Sequence, residues 1–335
     1  MNPRKPRIAL VLGDPSGIGP ELVAHLLADP CTLQSADVLV IADPQELARG
    51  MDVAGRHTQL ARSVSLDAVS FGQGPVLLPH ATDSGNGFEC GVSNAASGTY
   101  ALQTLLEALK AARTGVVDAI VFAPLNKHAL HLAGMQTADE LHWFANQLNY
   151  VGPVCEFNVL DGLWTSRVTS HIAHKDVAAQ ITQAGVVQAI GLLHRAIRGS
   201  GVQSPRIAVC GLNPHNGDNG SFGREEIDII GPAVASAAEK GVPAEGPFAA
   251  DTVFLKVQGE QRQFDGVVTM YHDQGQIAMK LMGFWRGVTV QGGLPIPILT
   301  PAHGTAFDVA GQGKANPGAM QQAFQLACRM VNSRL

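Results

Sequence analysis

Residues 7–27 read RIALVLGDPSGIGPELVAHLL and place a short apolar run, a loop of glycine and proline, and a helix-like run in succession. The run 8–12 is too short for a membrane span or for the apolar core of a signal peptide, so it predicts a first β-strand. Pro20 and Glu21 suit the first turn of a helix over 21–27. The loop before them lacks the GxGxxG pattern of a Rossmann turn, and a tight structural turn is its simplest interpretation.

The same alternation of strand-like and helix-like runs continues along the 335 residues. Further strands are predicted at 38–42, 119–123, 207–212, 266–270 and 288–290, and helices are predicted from 44, at 95–112 and at 181–198. Such alternation predicts an α/β fold with mostly parallel sheets and helices on both faces. The glycine- and proline-rich stretch 292–304 predicts a loop between strands.

Composition excludes several classes of protein. The length favours about two domains. A net charge of −5 without a basic stripe argues against nucleic-acid binding, and no apolar run approaches the roughly 20 residues of a membrane span. The five cysteines are far apart and lack any CxxC pair, which argues against disulfide and zinc–thiolate frameworks. A reducing cytoplasm is therefore the expected compartment.

Polar clusters follow several of the apolar runs. They lie at Gly13–Glu21, Asn126–His128, Asn213–Gly220, His272–Gln276 and His303–Asp308. Because α/β enzymes bind ligands beyond the carboxyl ends of their strands, these clusters are the candidate functional segments.

Three of the segments that follow strand-like runs carry a histidine, namely His171, His215 and His272. Neutral imidazole is a common ligand of Zn²⁺ and related ions, and three such ligands leave one position open for a substrate. Three strand ends that converge would therefore form a catalytic metal site. The alternative is a set of ordinary hydrogen-bonded loop histidines, and spacing alone does not exclude it.

Two charged residues near His272 are candidate catalytic groups. Asp273 could orient a histidine ligand through a hydrogen bond. Lys280 lies between apolar neighbours and could shuttle a proton or bind a substrate carboxylate; the alternative is a solvated surface charge. At the later loop, small residues over 303–313 would let a flat ring approach the backbone, and a buried Asp308 could accept hydrogen bonds from a ribose diol, which favours NAD over NADP.

The motifs together resemble the 4-hydroxythreonine-4-phosphate dehydrogenase family of vitamin B6 biosynthesis and its catabolic relatives. The resemblance runs from residue 10 to about residue 320. Its motifs are GDPSGIGPE (13–21), APLNKHALHLAG (123–134), TSHIAHKDV (169–177), GLNPHNGDNGSFG (211–223), ADTVF (250–254), MYHDQGQIAMK (270–280) and HGTAFDVAGQGKANP (303–317).

The resemblance implies a fold of the isopropylmalate and isocitrate dehydrogenase type, with two α/β domains and a cleft between them. The NAD-side domain would comprise 1–125 plus 300–335, and the metal, substrate and dimerisation domain would comprise 126–299. The resemblance further implies a homodimer whose metal site is shared between subunits. The family reaction is NAD-linked oxidation of a C3 hydroxyl, followed by loss of CO₂ from the β-keto acid.

Residue roles carry over at the matching positions. His171, His215 and His272 fall on the family's metal ligands, and Lys280 falls on a substrate-binding lysine. The matching NAD-binding residues are Gly304, Thr305, Ala306, Asp308 and Asn316. Zn²⁺ is the first expectation for the metal, with Co²⁺, Ni²⁺ or Mn²⁺ as alternatives, whereas nitrogen ligands disfavour Mg²⁺.

The chain departs from the family at its substrate-binding positions. Residues Glu140, Leu141 and His142 stand, after Asp139, where the family usually has Gly-His-Thr-Glu, and Thr289 and Ile298 replace an asparagine and an arginine. Loss of the arginine removes a bidentate phosphate partner, and Glu140 would repel a phosphate by about 1 kcal/mol.

Several functions therefore stay open. The first is the family's own reaction. The second is the same chemistry on 4-phosphorylated threonate or erythronate, or on a non-phosphorylated acid such as a carboxylated cis-dihydrodiol. A third is a phosphate acetyltransferase of related fold, which the three histidines and the 303–308 loop argue against. A non-catalytic binding protein is the least favoured hypothesis.

Overall fold

The computed structural model describes residues 4–81, 88–259 and 262–334, and the fold is of the α/β class, as predicted. Its strands are β1 (Arg7–Val11), β2 (Asp37–Ala42), β3 (Ala61–Arg62), β4 (Val76–Pro79), β5 (Ala119–Phe122), β6 (Cys155–Leu160), β7 (Leu163–Arg167), β8 (Ile207–Cys210), β9 (Ala244–Phe248), β10 (Gly266–Thr269), β11 (Val288–Gly292) and β12 (Ile298–Pro301).

The helices alternate with these strands along the chain. They are α1 (Gly19–Ala28), α2 (Pro30–Ser35), α3 (Pro44–Ala54), α4 (Ala95–Arg113), α5 (Lys127–Leu132), α6 (Glu140–Gln147), α7 (Val177–Gln180), α8 (Gln183–Gly199), α9 (Gly231–Glu239), α10 (Ala250–Val253), α11 (His272–Gly283) and α12 (Gly318–Asn332). No helix within the described ranges is both long and apolar enough to cross a membrane.

The chain divides into two compact units. The first comprises Met1–Val151, Val288–Val290 and Leu294–Leu335. Its strands lie in the order β3-β4-β2-β1-β5-β12-β11, and all neighbours are parallel except β11 and β12. The central strand β1 pairs Ile8 with Val38 on one side and with Ala119 on the other. Helices cover both faces, so the central strands are continuous apolar runs.

The second unit comprises Gly152–Gly287 and Gln291–Gly293. Its strands lie in the order β6-β7-β10-β8-β9. The hairpin of β6 and β7 is antiparallel and turns through Asp161 and Gly162, both with positive φ, as a two-residue hairpin turn of the I′ type requires. The other neighbours are parallel. Buried apolar side chains of β10, β8 and α8 form its core.

The unit boundaries differ from the predicted ones. Residues 126–151 belong to the first unit, since α5 packs closely on α4: a Cβ on Gly98 would lie 2.0 Å from the carbonyl oxygen of Ala129. Phe144 of α6 likewise stacks at 5.7 Å on Phe122 of β5. The stretch 292–304 is not wholly a loop, because β12 lies within it and pairs Ile298 with Ile120. Its flanking prolines and glycines concealed a four-residue strand.

Candidate functional site

The three histidines follow three neighbouring parallel strands of the second unit. His171 follows β7, His272 follows β10 and His215 follows β8, and β10 lies between the other two. Parallel neighbours end at the same edge of a sheet, so all three side chains are attached to one edge. The prediction that the polar clusters follow strands is thereby confirmed.

Two of the three rings are close together. The ring centroids of His171 and His272 lie 5.7 Å apart, whereas the ring of His215 lies against Phe222 at 6.4 Å. Among the residues that the structure describes, no three His, Cys, Asp or Glu side chains are grouped so that they could hold a metal ion. The three-histidine metal site therefore stays a prediction.

The backbone at two of these histidines is strained. His171 and His215 have φ of 46° and 50°, and the left-handed conformation continues through Asn216, Asp218 and Asn219. Residues other than glycine rarely adopt this region, and the cost is of order 1–3 kcal/mol each when the surroundings enforce it. Such strain is concentrated at functional sites, and here it falls on two of the predicted ligands.

A buried carboxylate holds the strained His215 loop. Glu226 Oε1 accepts hydrogen bonds from the backbone amides of Leu212 and Asn213, both at 2.7 Å, and its Oε2 accepts from Asn213 Nδ2 at 2.9 Å. Burial alone would raise the pKa of Glu226, but these hydrogen bonds outweigh it and lower the pKa. The loop that carries His215 is thus anchored by an ionised side chain.

Two glutamines connect α11 to the strands of the second unit. Gln274 accepts from the Met270 amide at 2.7 Å and donates to the Gly211 carbonyl at 2.9 Å, which joins the ends of β10 and β8. Gln276 donates to Asn158 Oδ1 on β6. The same oxygen accepts from the guanidinium of Arg167 at 3.2 Å.

Arg167 continues this network towards His171. Its Nε donates to Ser170 Oγ at 2.9 Å, and its Nη2 pairs with Glu156 at 3.0 Å. Sequence reasoning missed Arg167, Glu226 and both glutamines as supports of the site. Gln274 and Gln276 lie inside a recognised motif, but nothing local in the sequence pairs Glu226 with the Asn213 loop.

The charged neighbours of His272 are solvent-exposed. Asp273 accepts a hydrogen bond from His272 Nδ1 at 2.7 Å, and this bond with the histidine lowers the pKa of Asp273. Lys280 is exposed and lies two turns further along α11. His272, Gln276 and Lys280 are spaced four residues apart and so share one helix face. The ring of His174 stacks on Tyr271 at 5.0 Å, which places it beside the predicted ligands.

The first unit has a second set of loops at a sheet edge. The loops 12–18, 123–126 and 302–308 follow β1, β5 and β12, which are parallel neighbours. The Ile18 amide donates to the carbonyl of Thr305 at 3.0 Å. A Cβ on Gly17 would lie 2.8 Å from that same carbonyl oxygen, so only glycine lets the two loops approach this closely.

The predicted cofactor residues lie in the later of these loops and beyond it. Gly304 has open space where a Cβ would stand, which leaves room for a flat ring, and Ala306 has a left-handed φ of 46°. Asp308 is exposed, contrary to the expectation that it is buried. An exposed carboxylate is still able to accept hydrogen bonds from a diol. Asn316 accepts from the Gly318 amide at 2.9 Å at the start of α12.

Asp14 is a buried carboxyl at the same edge. It is 1% exposed, and its Oδ1 accepts from the Ser16 amide at 2.9 Å. Burial raises the pKa of Asp14 to about 6, against opposing hydrogen bonds from Ser16 and Ser97. A folded-state pKa above the ordinary value of 3.8 means that ionised Asp14 destabilises the folded state at neutral pH.

We expect Asp14→Asn to stabilise the protein at high pH. Asparagine keeps an acceptor for the Ser16 amide and carries no charge. The cost of ionisation is absent below pH 3.8 and fully present above pH 6, so the gain at pH 8 should reach at most about 3 kcal/mol, at roughly 1.4 kcal/mol per pKa unit. Urea unfolding at pH 4 and at pH 8 measures it. An equal gain at both pH values would contradict the assigned cause.

The predicted substrate residues of the first unit occupy different environments. Asp139 begins α6 by accepting from the His142 amide at 2.9 Å and also contacts the His142 ring at 2.6 Å. Leu141 and Thr289 are buried. Ile298 is 0% exposed within β12, so it is a core side chain; the expectation that it contacts substrate is not supported. Glu140 lies in the first turn of α6 and is half-buried.

Similarity to known proteins extends over nearly the whole chain. The family model described as "Pyridoxal phosphate biosynthetic protein PdxA" matches residues 34–327. A protein of Pseudomonas aeruginosa, whose name provisionally assigns it as 4-hydroxythreonine-4-phosphate dehydrogenase 2, is 60% identical over 329 residues, with 98% of each chain covered. D-threonate 4-phosphate dehydrogenase of Salmonella typhimurium is 36% identical, with 97% of this chain and 98% of that protein covered. The crystal structure of 4-hydroxythreonine-4-phosphate dehydrogenase from Klebsiella pneumoniae matches with a TM-score of 0.84 at 35% identity and covers 99% of both chains.

Proposed function

The chain belongs to the PdxA family of pyridoxal phosphate biosynthetic proteins, whose named relatives are dehydrogenases, and from this premise we propose that it oxidises the C3 hydroxyl of 4-phosphohydroxy-L-threonine. The near full-length likeness to 4-hydroxythreonine-4-phosphate dehydrogenases carries the proposal. The product would be a β-keto acid that loses CO₂. A transferase function has no comparable support, because these relatives are oxidoreductases.

NAD is the proposed hydride acceptor, bound at the first unit's sheet edge. Gly304, Thr305, Ala306, Asp308 and Asn316 would hold it. The open side of Gly304 and the exposed carboxylate of Asp308 suit a flat ring and a ribose diol. Such a carboxylate binds the free ribose 2′-hydroxyl of NAD. In NADP a phosphate occupies that position, and the carboxylate would repel it.

The proposed reaction also requires a divalent metal ion, with Zn²⁺ as the first choice. The donor chemistry fits: three imidazoles follow three adjacent strand ends, and two of them stand on strained backbone. When bound, the ion polarises the oxygen of the substrate alcohol and stabilises the negative charge that CO₂ loss leaves behind. His171, His215 and His272 would hold it, and a second copy of the chain would complete the set.

The chain's own residues position the reactants. Asp273 accepts from His272 Nδ1 and so leaves Nε2 of that ring to act as the donor atom. Lys280 shares the helix face of His272 and presents an exposed cation, which suits binding of the substrate carboxylate or transfer of a proton. Gln274 joins the same helix to the ends of β10 and β8, and Gln276 joins it to β6.

NADH absorbance tests the proposed reaction. The purified chain, with NAD, 4-phosphohydroxy-L-threonine and added Zn²⁺, Co²⁺ or Mn²⁺, should form NADH and release CO₂ in equal amounts. Chelation followed by metal restoration should abolish and then restore the rate. No NADH at millimolar substrate with any of these ions would refute the proposed substrate.

A homodimer is proposed because an apolar face adjoins the histidine edge. Ile277 and Leu281 of α11 are 60% and 84% exposed, and the nearby Leu255 is 71% exposed. A cavity of about 560 Å³ beside this face is lined by Ile277 and Leu281 together with His215 and Asp273. Exposed apolar patches of this kind mark interaction surfaces. A second copy seated there would reach the histidine edge.

Leu281→Asp should weaken this dimer. A carboxylate on the apolar face must be desolvated when the subunits associate, so the dissociation constant of the dimer should rise by at least about tenfold. Sedimentation at falling protein concentration measures the change. Leu106→Asp, on an exposed leucine of α4 in the other unit, is the control and should leave the dimer intact. A Leu281→Asp protein that stays dimeric would contradict the assigned surface.

A second candidate substrate is a 4-phosphorylated threonate. The D-threonate 4-phosphate dehydrogenase of Salmonella typhimurium is a relative, and this chain departs from the family at positions 139–142 and 289. Ratios of kcat/KM for the two substrates decide between them.

A further inference from the structure

The loop proposed to hold NAD is tied at two points to the start of α1, at the N-cap residue Ile18 and at Glu21 in the first turn. At its start, the Thr305 carbonyl accepts from the Ile18 amide at 3.0 Å. At its end, the Gly311 amide donates to Glu21 Oε1 at 2.7 Å. The cofactor residues Ala306 and Asp308 lie between these two points. A 2.7 Å bond to a carboxylate is short and charge-assisted, and such bonds are about twice as strong as neutral ones.

Glu21 is an unusual residue for this position. Its side chain is 2% exposed, and the second oxygen, Oε2, is buried without a hydrogen bond to any residue the structure describes. A buried carboxylate costs free energy unless it is compensated. Its place in the first turn of α1 provides part of that compensation through the helix dipole. Within α1 the carboxylate also attracts His25, one turn further along the helix, but its hydrogen bond to the Gly311 amide is the contact that joins α1 to the later loop.

The conformation at the far end of the loop shows why an anchor is needed. Gly311 has φ of +76° and Ala306 has φ of 46°, so the backbone enters and leaves the segment in the left-handed region. A Cβ on Gly311 would also lie 3.2 Å from Cys90 Sγ, so a larger residue would be crowded here. Gln312 donates to the carbonyls of Val309 and Asp308 within the segment, so those bonds shape it, whereas the Gly311 bond ties it to α1.

We propose that Glu21 is a positioning residue for cofactor binding, which acts by fixing the Gly311 amide and hence the backbone of residues 306–310. The inference rests on the proposed NAD function. Glu21 touches no reacting atom. Glu21 keeps the loop ordered before NAD binds. A flexible loop would have to be ordered during binding, and that cost in free energy would weaken the affinity. Loss of the anchor therefore weakens cofactor affinity and leaves the chemical step nearly unchanged.

Three variants of Glu21 test the inference. Glu21→Gln keeps an acceptor oxygen and should retain the dissociation constant for NADH within about twofold. Glu21→Leu removes the acceptor at similar size and should raise that constant about tenfold, the loss expected for one charge-assisted bond. Glu21→Asp moves the carboxylate away by one methylene, and its dissociation constant for NADH should lie between those of the other two variants. Quenching of protein and NADH fluorescence measures binding without turnover.

The outcomes separate the inference from the proposed function. At saturating NAD, kcat of Glu21→Leu should stay within about threefold of wild type while KM for NAD rises with the dissociation constant. Equal NADH affinity in Glu21→Leu and wild type would overturn the inference and leave the NAD proposal standing. A wild-type protein that binds no NADH would overturn both. If Glu21→Leu does not fold, the comparison of Glu21→Asp with Glu21→Gln decides, and equal affinities there would overturn the inference.

Discussion

His272→Ala is expected to lower kcat/KM by at least about 10³-fold. The metal at this edge is proposed to stabilise developing charge, an effect worth several kcal/mol, and each 1.4 kcal/mol corresponds to about a factor of ten. The same change should lower the bound metal per subunit, which mass spectrometry of the purified protein measures. His171→Ala should behave alike, because the two rings are neighbours at 5.7 Å.

His174→Ala provides the matched control. His174 belongs to the same edge and stacks on Tyr271, but it is not a predicted ligand. Its loss should change kcat/KM by less than about tenfold and should leave the metal content unaltered. Full activity in His272→Ala, or equal metal loss in His174→Ala, would refute the assignment of the ligands.

Glu226→Leu is expected to destabilise the second unit by about 2–4 kcal/mol. The change leaves the amides of Leu212 and Asn213 without their shared acceptor, and an unsatisfied buried donor costs about 1–3 kcal/mol. The left-handed segment around His215 would lose its anchor as well, so metal affinity should fall with stability. Urea unfolding and metal titration measure the two effects.

The pH dependence of stability gives a second test of Glu226. Its folded pKa lies below the ordinary 4.5, so the stabilisation is fully present above that value and is lost as the pH falls through the lower, folded pKa. Glu226→Gln should remove this acid-dependent loss. Asp228→Asn, in the same helical turn but exposed and paired with exposed Arg224, should leave the acid limb and the stability nearly unchanged. An unchanged acid limb in Glu226→Gln would contradict the assignment.

Local patterns predicted the class of fold and the places where its chemistry would lie. Apolar runs such as 8–12 and 207–212 became β1 and β8, shifted by one or two residues at their ends. Each predicted polar cluster follows a strand, because the chain must leave a parallel sheet through a loop. Strand β12 was missed because Pro297 precedes it, Pro301 is its last residue, and the apolar run between the two prolines is short.

Residues that act through distant partners were not predictable from one sequence. Glu21 and Gly311 are separated by 290 positions, and Arg167 reaches Asn158 across a hairpin. Neither pairing leaves a periodic signal. The burial of Ile298 was missed for a related reason: its position was interpreted by correspondence with the family, whereas the parallel pairing with β5 places it in the core.

The chain order of the first unit bears on how the protein is made. The second unit is almost continuous over 152–287, so its sequence is complete on the ribosome before β12 has been synthesised. Until then one edge of β5 has no neighbour, and an open strand edge is a site for mispairing with other chains. The nascent chain thus carries an unfinished sheet through the whole synthesis of the middle unit. The interval lengthens as translation slows, so mispairing at this edge is expected to increase when the middle unit is synthesised slowly.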